Sequence, residues 1–451
     1  MRLNVAVWVV LGLGSGCAGA EDLMTCYRDG LQQDPVFGSA KSSYDATKEK
    51  LPQGRALFLP NANISANTNY NVANFQYSPP AGTPSLPAGV QKYGSWGAAL
   101  NLTQPLFRPQ NTALYDQAQI QVVQAESQLA LAGQDLMLRV AQAYFDVLLS
   151  EFNLGTVRAQ KAATAEQLAQ AKRNFQVGTA TITDTYDAQA RYDLVVAQEI
   201  TAYNDIEVKR RALQQIIGRL PGPLNKPQPG ITLSAPEPND MEAWVQAGYG
   251  NSLQVQVAKS NLDLAVKEID RNRGATYPTL DAVGSATYNS QGKSALGYGQ
   301  DTTQYIVGLQ LNYPLYQGGA LSSRVREAIA NKSKAEQDYE NARRTVAQNV
   351  RQSFLAINTG LGEIQALKQA VASNRLSVDA SKLGQEVGVR TQVDVLNAQQ
   401  LLYSAERDLA RSYYSTILAQ LRLKGSVGRL TPVDLDNVNR LLTQQEFPER
   451  K

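Results

Sequence analysis

The sequence predicts an α+β protein, internally duplicated, with two membrane-spanning β-strands and a pair of long α-helices in each half. Three observations lead there. Four short stretches alternate polar and mildly apolar residues. Two long stretches contain no proline and repeat apolar residues every three or four positions. The second half of the chain echoes the first in order and spacing.

Residues 1–20, "MRLNVAVWVVLGLGSGCAGA", read as a secretory signal peptide. One basic residue precedes an apolar run, and Ala18-Gly19-Ala20 offers a small-residue cleavage site before Glu21. A competing reading makes Cys17 the lipid-modified first residue of a lipoprotein, but Gly14 sits where a bulky aliphatic residue normally precedes such a site. After Ala20 no run of 18 or more apolar residues follows, so no transmembrane helix is expected.

The first strand is 61–72, "NANISANTNYNV". Asn61, Asn63, Ser65, Asn67, Asn69 and Asn71 share one face, and Ala62, Ile64, Ala66, Thr68, Tyr70 and Val72 share the other. In the second, 94–104, Trp96, Ala98, Leu100 and Leu102 oppose Ser95, Ala99, Asn101 and Thr103. The third is 279–289. In the fourth, 304–313, Tyr305, Val307, Leu309, Leu311 and Tyr313 oppose Gln310 and Asn312. Tyr70, Tyr93, Trp96, Tyr288, Tyr305 and Tyr313 sit near strand ends. The polar faces carry amides and hydroxyls with few charges. Apolar outside, polar inside, with aromatic girdles, is the pattern of an outer-membrane β-barrel. Four strands cannot close one, because the smallest closed barrels have about eight, and open edges are not tolerated in lipid. Several copies must therefore share a barrel.

Proline placement marks the helices. None occurs between Pro109 and Pro221, or between Pro314 and Pro432, so each interval can be helical without a break. Long helices are expected over 110–175 and 320–385, each followed after a tip by a second helix, 184–218 and 394–427. Leu114, Ala118, Val122, Ala125, Leu129, Ala132, Leu136, Val140, Ala143 and Val147 form an alanine-rich stripe in the first. Val346, Val350, Ile357, Leu361, Ile364 and Val371 continue it in the second half. A continuous helix from Asn111 to Arg173 would reach about 95 Å, longer than a compact domain. Between the halves, 220–240 ("LPGPLNKPQPGITLSAPEPND") is a proline-rich connector, and 429–451 is a C-terminal tail.

"VGTATITDTYDAQARYD" (177–193) aligns with "VGVRTQVDVLNAQQLLY" (387–403), so that Val177 meets Val387. "LTQPLF" (102–107) aligns with "LNYPLY" (311–316), and "FLPNANISANTNY" (58–70) with "TYPTLDAVGSATY" (276–288). A repeat of this length means a duplicated module, 21–219 and 241–428. The different spacing assigns the extra residues of the first half to a loop, "SPPAGTPSLPAG" (78–89).

Composition argues against catalysis. The chain has no histidine, which removes the usual general base and the commonest metal ligand. Only Cys26 remains after Ala20, so no internal disulfide can form. No metal site, cofactor or phosphate-binding loop is recognisable. A net charge of +3 argues against a nucleic-acid partner.

The sequence resembles the TolC family of outer-membrane export ducts over essentially the whole mature chain. The resemblance is carried by "EDLMTCYRDGLQQDP" at the mature start, "QPLF" and "YPLYQGG" after the strand pairs, "AQAYFDVL" (141–148), "VGTATITD" (177–184), "VGVRTQVDVLNAQQ" (387–400) and the duplication. It implies a homotrimer closing one 12-stranded barrel, continuous with a periplasmic α-helical barrel and an equatorial mixed region. The asparagine face of 61–72 would then line a water-filled pore in the outer membrane.

The resemblance also implies roles at the hairpin tips. Asp184 and Arg390 match partners in the network that closes the periplasmic end, with Thr183 beside them. A carboxylate–guanidinium pair suits that task, being directional yet exchangeable for water. As an alternative or additional role, Asp184 caps the helix that begins near it. Asp394 matches an aspartate of the narrowest aperture, where neighbouring copies would raise one another's pKa, or else it is a solvated helix-start carboxylate. The second aperture aspartate is replaced by Asn397, and a tyrosine of the closing network by Gln385. Val177-Gly178 and Val387-Gly388 mark the tips, where glycine permits a tight turn and where a periplasmic adaptor would dock.

The expected function is a passive exit duct of a tripartite export system, for type I protein secretion, multidrug efflux or both. It would be gated by iris-like helix movement. Its partners would be outer-membrane lipid, a periplasmic adaptor and an inner-membrane transporter of ABC, RND or MFS type. The rival expectation is a non-conducting trimeric periplasmic spacer or adhesin stalk.

Overall fold

A computed structural model describes residues 20–76, 89–227, 231–292 and 298–443. The signal segment with Cys17, the loop 78–89 except its last residue, and residues 444–451 of the tail lie outside them. In chain order the elements are α1 (Leu23–Gln33), α2 (Pro35–Lys48), α3 (Lys50–Ala56), β1 (Asn61–Phe75), β2 (Gly89–Phe107), α4 (Pro109–Gln176), α5 (Ile182–Ile217), β3 (Lys226–Pro227), α6 (Met241–Asn251), α7 (Leu253–Gly274), β4 (Thr279–Gln291), β5 (Gln300–Asn312), α8 (Ala320–Glu386), α9 (Gln392–Ser426), α10 (Pro432–Asn439) and β6 (Leu442–Thr443). The series strand, strand, very long helix, helix occurs twice. The long helices have 68 and 67 residues, and those that follow them 36 and 35. Three helices precede the first strand pair, two precede the second, and the tail contains α10.

The chain divides into two units. One comprises residues up to Ser42, Gln128–Val255 and from Ala342 onward. Its core forms where α4 places Leu136, Val140, Tyr144, Val147 and Leu148 on one face, all nearly inaccessible to solvent. Opposite them α1 contributes Leu23, Cys26 and Tyr27, α5 contributes Leu213 and Ile217, and α9 contributes Tyr414, Ile417 and Leu421. The spacing of three and four along α1 and α4 is the helical repeat that puts these side chains on one stripe. Gly30 lets α1 approach closely, since a Cβ there would lie 3.4 Å from both Leu136 and Val140.

Polar anchors surround this core. Asp34 is buried and receives a bidentate pair from Arg139 at 3.2 and 2.7 Å. Burial pushes its carboxyl pKa up, but the Arg139 hydrogen bond and the Phe37 amide outweigh that, and the net shift is downward. The connector is less irregular than its proline content suggests. Leu224 makes a parallel bridge with Glu21, and Lys226–Pro227 pairs with Leu442–Thr443. The Tyr144 hydroxyl lies 2.9 Å from the Asn225 carbonyl and 3.1 Å from that of Glu21.

The other unit comprises Ser43–Ser127 and Gln256–Asn341. It holds a four-stranded antiparallel sheet in the order β1-β2-β4-β5. β1 and β2 pair without interruption from Asn61↔Thr103 to Phe75↔Gly89, so the strands extend beyond 61–72 and 94–104. β2 against β4 shifts register between Pro105 and Phe107, a bulge that frees Leu106. β1 and β5 each leave one edge unpaired within the chain.

Because Leu136 is fully buried, Leu136→Ala removes core atoms that neighbours cannot replace. A loss of about 2–5 kcal/mol is expected, read as a lower denaturant midpoint for the detergent-solubilised protein.

Candidate functional site

Residues opposite one another in a ladder share a face, so the register assigns every strand side chain. One face carries Asn61, Asn63, Ser65, Asn67, Asn69 and Asn71. Directly across lie Thr103, Asn101, Ala99, Gly97, Ser95 and Tyr93. It continues through Ser285, Thr287, Asn289 and Gln291 of β4 to Ile306, Gln304, Thr302 and Gln300 of β5. Its side chains bond across strands: Asn71 Nδ2 donates to Ser95 Oγ at 2.7 Å. Gly97 leaves room there, because a Cβ would collide with the Asn289 amide and lie 3.3 Å from that of Asn67. Toward the helical ends of the strands this face holds Asp281, nearly buried and gripped by Arg108 in two bonds of 2.7 and 2.6 Å.

The opposite face is apolar and exposed. Ile64, Tyr70, Val72, Trp96, Leu100, Leu102, Tyr305, Val307, Leu309 and Leu311 all lie on it. Such a contiguous exposed patch marks a membrane or protein contact. The aromatic residues form a slanted row: Tyr70 is level with Gly94, then come Trp96, Tyr288 level with Ala98, and Tyr305 level with Ala286 and hence Leu100. Each step to the next strand moves two residues along the ladder. A constant stagger is how a horizontal band appears on strands tilted to a barrel axis. Trp96 and Tyr288 pack with ring centroids 5.0 Å apart. Two of the aromatics read as girdle residues do not belong to this band. Tyr93 faces the asparagines, because its odd position pairs with Asn71, and Tyr313 lies just beyond β5.

The two hairpin turns are near copies. In the first, the Thr179 amide donates to the Asn174 carbonyl at 2.9 Å and the Gly178 amide to Phe175 at 3.0 Å, with Gly178 at φ 79°. In the second, the Val389 amide donates to Gly384 at 2.9 Å and the Gly388 amide to Gln385 at 3.1 Å, with Gly388 at φ 80°. Each glycine occupies the left-handed position that closes such a turn. Val177 and Val387, beside them, are 73% and 67% exposed.

Both following helices open with the same reciprocal cap. Asp184 stands at the third helical position, so it is Thr181 that caps α5, a refinement of the expectation that Asp184 does so. The Thr181 amide and hydroxyl both donate to the Asp184 carboxylate, at 2.9 and 2.8 Å, and Thr183 Oγ1 shares a hydrogen bond with Thr181 Oγ1. The Thr391 amide and hydroxyl donate to Asp394 at 2.8 Å each. Each carboxyl is thereby held below the usual aspartate range, first by the backbone amide and then by the hydroxyl, with Arg390 adding attraction at Asp394. Within one chain the Asp394 shift thus runs opposite to the rise expected of a crowded aspartate ring.

Asp184 and Arg390 do not pair with each other within the chain: the hydrogen bonds of the Asp184 carboxylate are to Thr181. The Arg390 side chain lies over Gly384, where a Cβ would come within 2.7 Å of Arg390 Cγ. Gln385 is half-buried and contributes its carbonyl to the turn. Asn397 Oδ1 accepts from Arg191 Nη1 of α5 at 3.4 Å. Sequence reasoning missed Arg191, Gly384, and the Arg108–Asp281 pair. A glycine inside a helix and a lone aspartate on a polar strand face were the available signals. Among the described residues no cluster of carboxylate and thiol groups is arranged to hold a metal ion.

The two caps make a pH prediction. Groups whose folded pKa is depressed contribute stability that is complete above the unfolded value and is lost as pH falls through the folded one. Hydrogen-exchange protection over 181–186 and 391–396, taken relative to the unstructured rate at each pH, should therefore stay constant from about pH 5 upward. That protection should fall below the usual aspartate range, and Thr391→Ala should lower it in the second segment alone at neutral pH.

Comparison with known proteins agrees with this architecture. The family model described as outer membrane efflux protein matches residues 26–219 and 244–429. Outer membrane protein TolC of Vibrio cholerae is 33% identical over 439 residues, covering 97% of each chain. Proteases secretion protein PrtF of Dickeya chrysanthemi is 30% identical, covering 96% of this chain and 94% of the relative. In fold, the Campylobacter jejuni CmeC outer membrane channel superposes with a TM-score of 0.78 at 15% identity, covering 100% of this chain and 99% of that one. The chain belongs to the outer membrane efflux protein family, the family of TolC, and is a protein of the Gram-negative outer membrane.

Proposed function

We propose that this chain is the passive exit duct of a tripartite export machine, built as a homotrimer whose twelve strands close one barrel. The observation that carries the reading is the two-faced sheet with two unpaired edges. Successive strands alternate in direction, so β5 of one copy and β1 of the next would meet antiparallel, as in the rest of the sheet. Joining them would leave no edge in lipid. The amide- and hydroxyl-rich face then lines the pore, and the Ile64–Leu100–Val307 face meets lipid.

Three copies is the number that family membership supports; TolC and the protease-secretion protein PrtF are the relatives that point to export. A periplasmic adaptor meets the tips at Val177-Gly178 and Val387-Gly388. An inner-membrane transporter of ABC, RND or MFS type supplies energy and selects cargo, whether secreted protein or small toxic compounds. Gating is an iris-like shift of the α8–α9 hairpin. Asp184 and Arg390, unpaired with each other inside one chain, are free to link neighbouring copies, with Thr183 and Gln385 alongside. Asp394 of each copy rings the aperture, and Asn397 leaves the aperture one carboxylate poorer per copy, three in the trimer, than two aspartates would.

Single-channel conductance in a planar bilayer tests the reading. The wild-type trimer should conduct weakly, Arg390→Ser should conduct more, and Asp394→Ala should lose block by polyvalent cations. Folded trimers that never conduct would replace the duct with the periplasmic stalk.

A further inference from the structure

Along the distal stretches of the two hairpins, among the described residues, side-chain hydrogen bonds and ion pairs mostly stay within a hairpin. Lys161 and Arg158 of α4 bind Glu199 of α5, and Arg375 of α8 binds Glu406 of α9. Near the tips a bond from Arg191 of α5 to Asn397 of α9 crosses from hairpin to hairpin. It borders a narrow cleft lined by Gln160, Thr164, Gln198, Gln399 and Gln400.

The duplication makes this contact asymmetric. Asn397 occupies the position that Asp187 holds in the first repeat, and Arg191 the position that Leu401 holds in the second. Asp187 and Arg191 are four apart on α5, the spacing at which a carboxylate and a guanidinium on one helix meet. Asp187 is exposed, and among the described residues no ion pair joins it to Arg191. Arg191 thus has two partners within reach and bonds to the uncharged one on the other hairpin.

We propose that Arg191 is a two-position latch of the gate: bound to Asn397 it ties α5 to α9, and when the hairpins separate it turns back to Asp187 on its own helix. The inference rests on the reading of the chain as a gated duct. An amide acceptor suits the closed position, because it holds the guanidinium without the attraction of a full charge. The intrahelical ion pair then offsets part of the cost of breaking the crossing bond. A bistable contact is what a gate needs, since it biases two discrete arrangements of packed helices. Arg191 is a positioning residue, acting on α9 through Asn397.

The test uses the full-length protein in planar bilayers, scoring open probability for trimers of wild type, Arg191→Gln, Asn397→Ala, Asn397→Asp and Asp187→Asn. Loss of the crossing bond in Asn397→Ala should raise it by about twofold, the scale of one exposed pair, whereas Arg191→Gln removes the partner of both states and should shift it less than that. Made in the Arg191→Gln protein, neither Asn397→Ala nor Asp187→Asn should change it further. Asp187→Asn removes the open-state partner and should lower open probability, and Asn397→Asp should lower it by strengthening the closed one. A structural role would move all variants in one direction. Equal open probability in Asn397→Ala and wild type, or an increase in Asp187→Asn, would overturn the latch. If Arg390→Ser opens the channel while Asn397→Ala does not, the latch fails and the duct stands. If folded wild-type trimers never conduct, both fall.

Discussion

A backbone amide or carbonyl in lipid must find its partner within the protein, and this constraint governs the chain. β2 and β4 are paired on both sides, while β1 and β5 each present one unpaired row. In the proposed duct the sheet is a segment of something larger. The alternating strand directions and the separation of polar from apolar residues let that segment be repeated around an axis without a break in pattern. The oblique row from Tyr70 to Tyr305 follows from the same geometry, because a level membrane surface crosses tilted strands at a different residue on each.

Duplication explains the economy of the helical part, and its imperfections carry the specificity. Both turns use a left-handed glycine and both second helices use a threonine–aspartate cap, so the two tips share one backbone solution. They diverge in the side chains placed on it. Ala180 corresponds to Arg390, Asn174 to Gly384, Asp187 to Asn397 and Arg191 to Leu401. Each replacement adds or removes a charge or clears space for one. The proposed gate contacts are drawn from these divergent positions, together with the two capping aspartates.

The caps also show how one carboxylate can serve two purposes. Asp184 and Asp394 already satisfy local donors, which keeps them ionised. Such a carboxylate has further lone pairs for a partner on another chain. Local structure and a contact between copies need not compete for it.

Much of this was legible before any fold was known. The period of two in 61–72 assigned Asn61 to Asn71 to one face, the absence of proline marked α4 and α8, and the glycines of the tips announced the turns. These features depend on neighbours a few residues away, so a linear reading reaches them. The bulge at Leu106, the placement of Tyr93 among asparagines, the grip of Arg108 on Asp281 and the bond from Arg191 to Asn397 were not legible. Each joins positions whose relative register is set only when strands pair or helices pack. The sequence by itself determined which residues are wet, which are greasy and where the chain turns, because those are properties of local periodicity. Tertiary structure alone decided which charged groups meet and which stay free, because a hydrogen bond between residues 206 apart depends on the packing of entire helices.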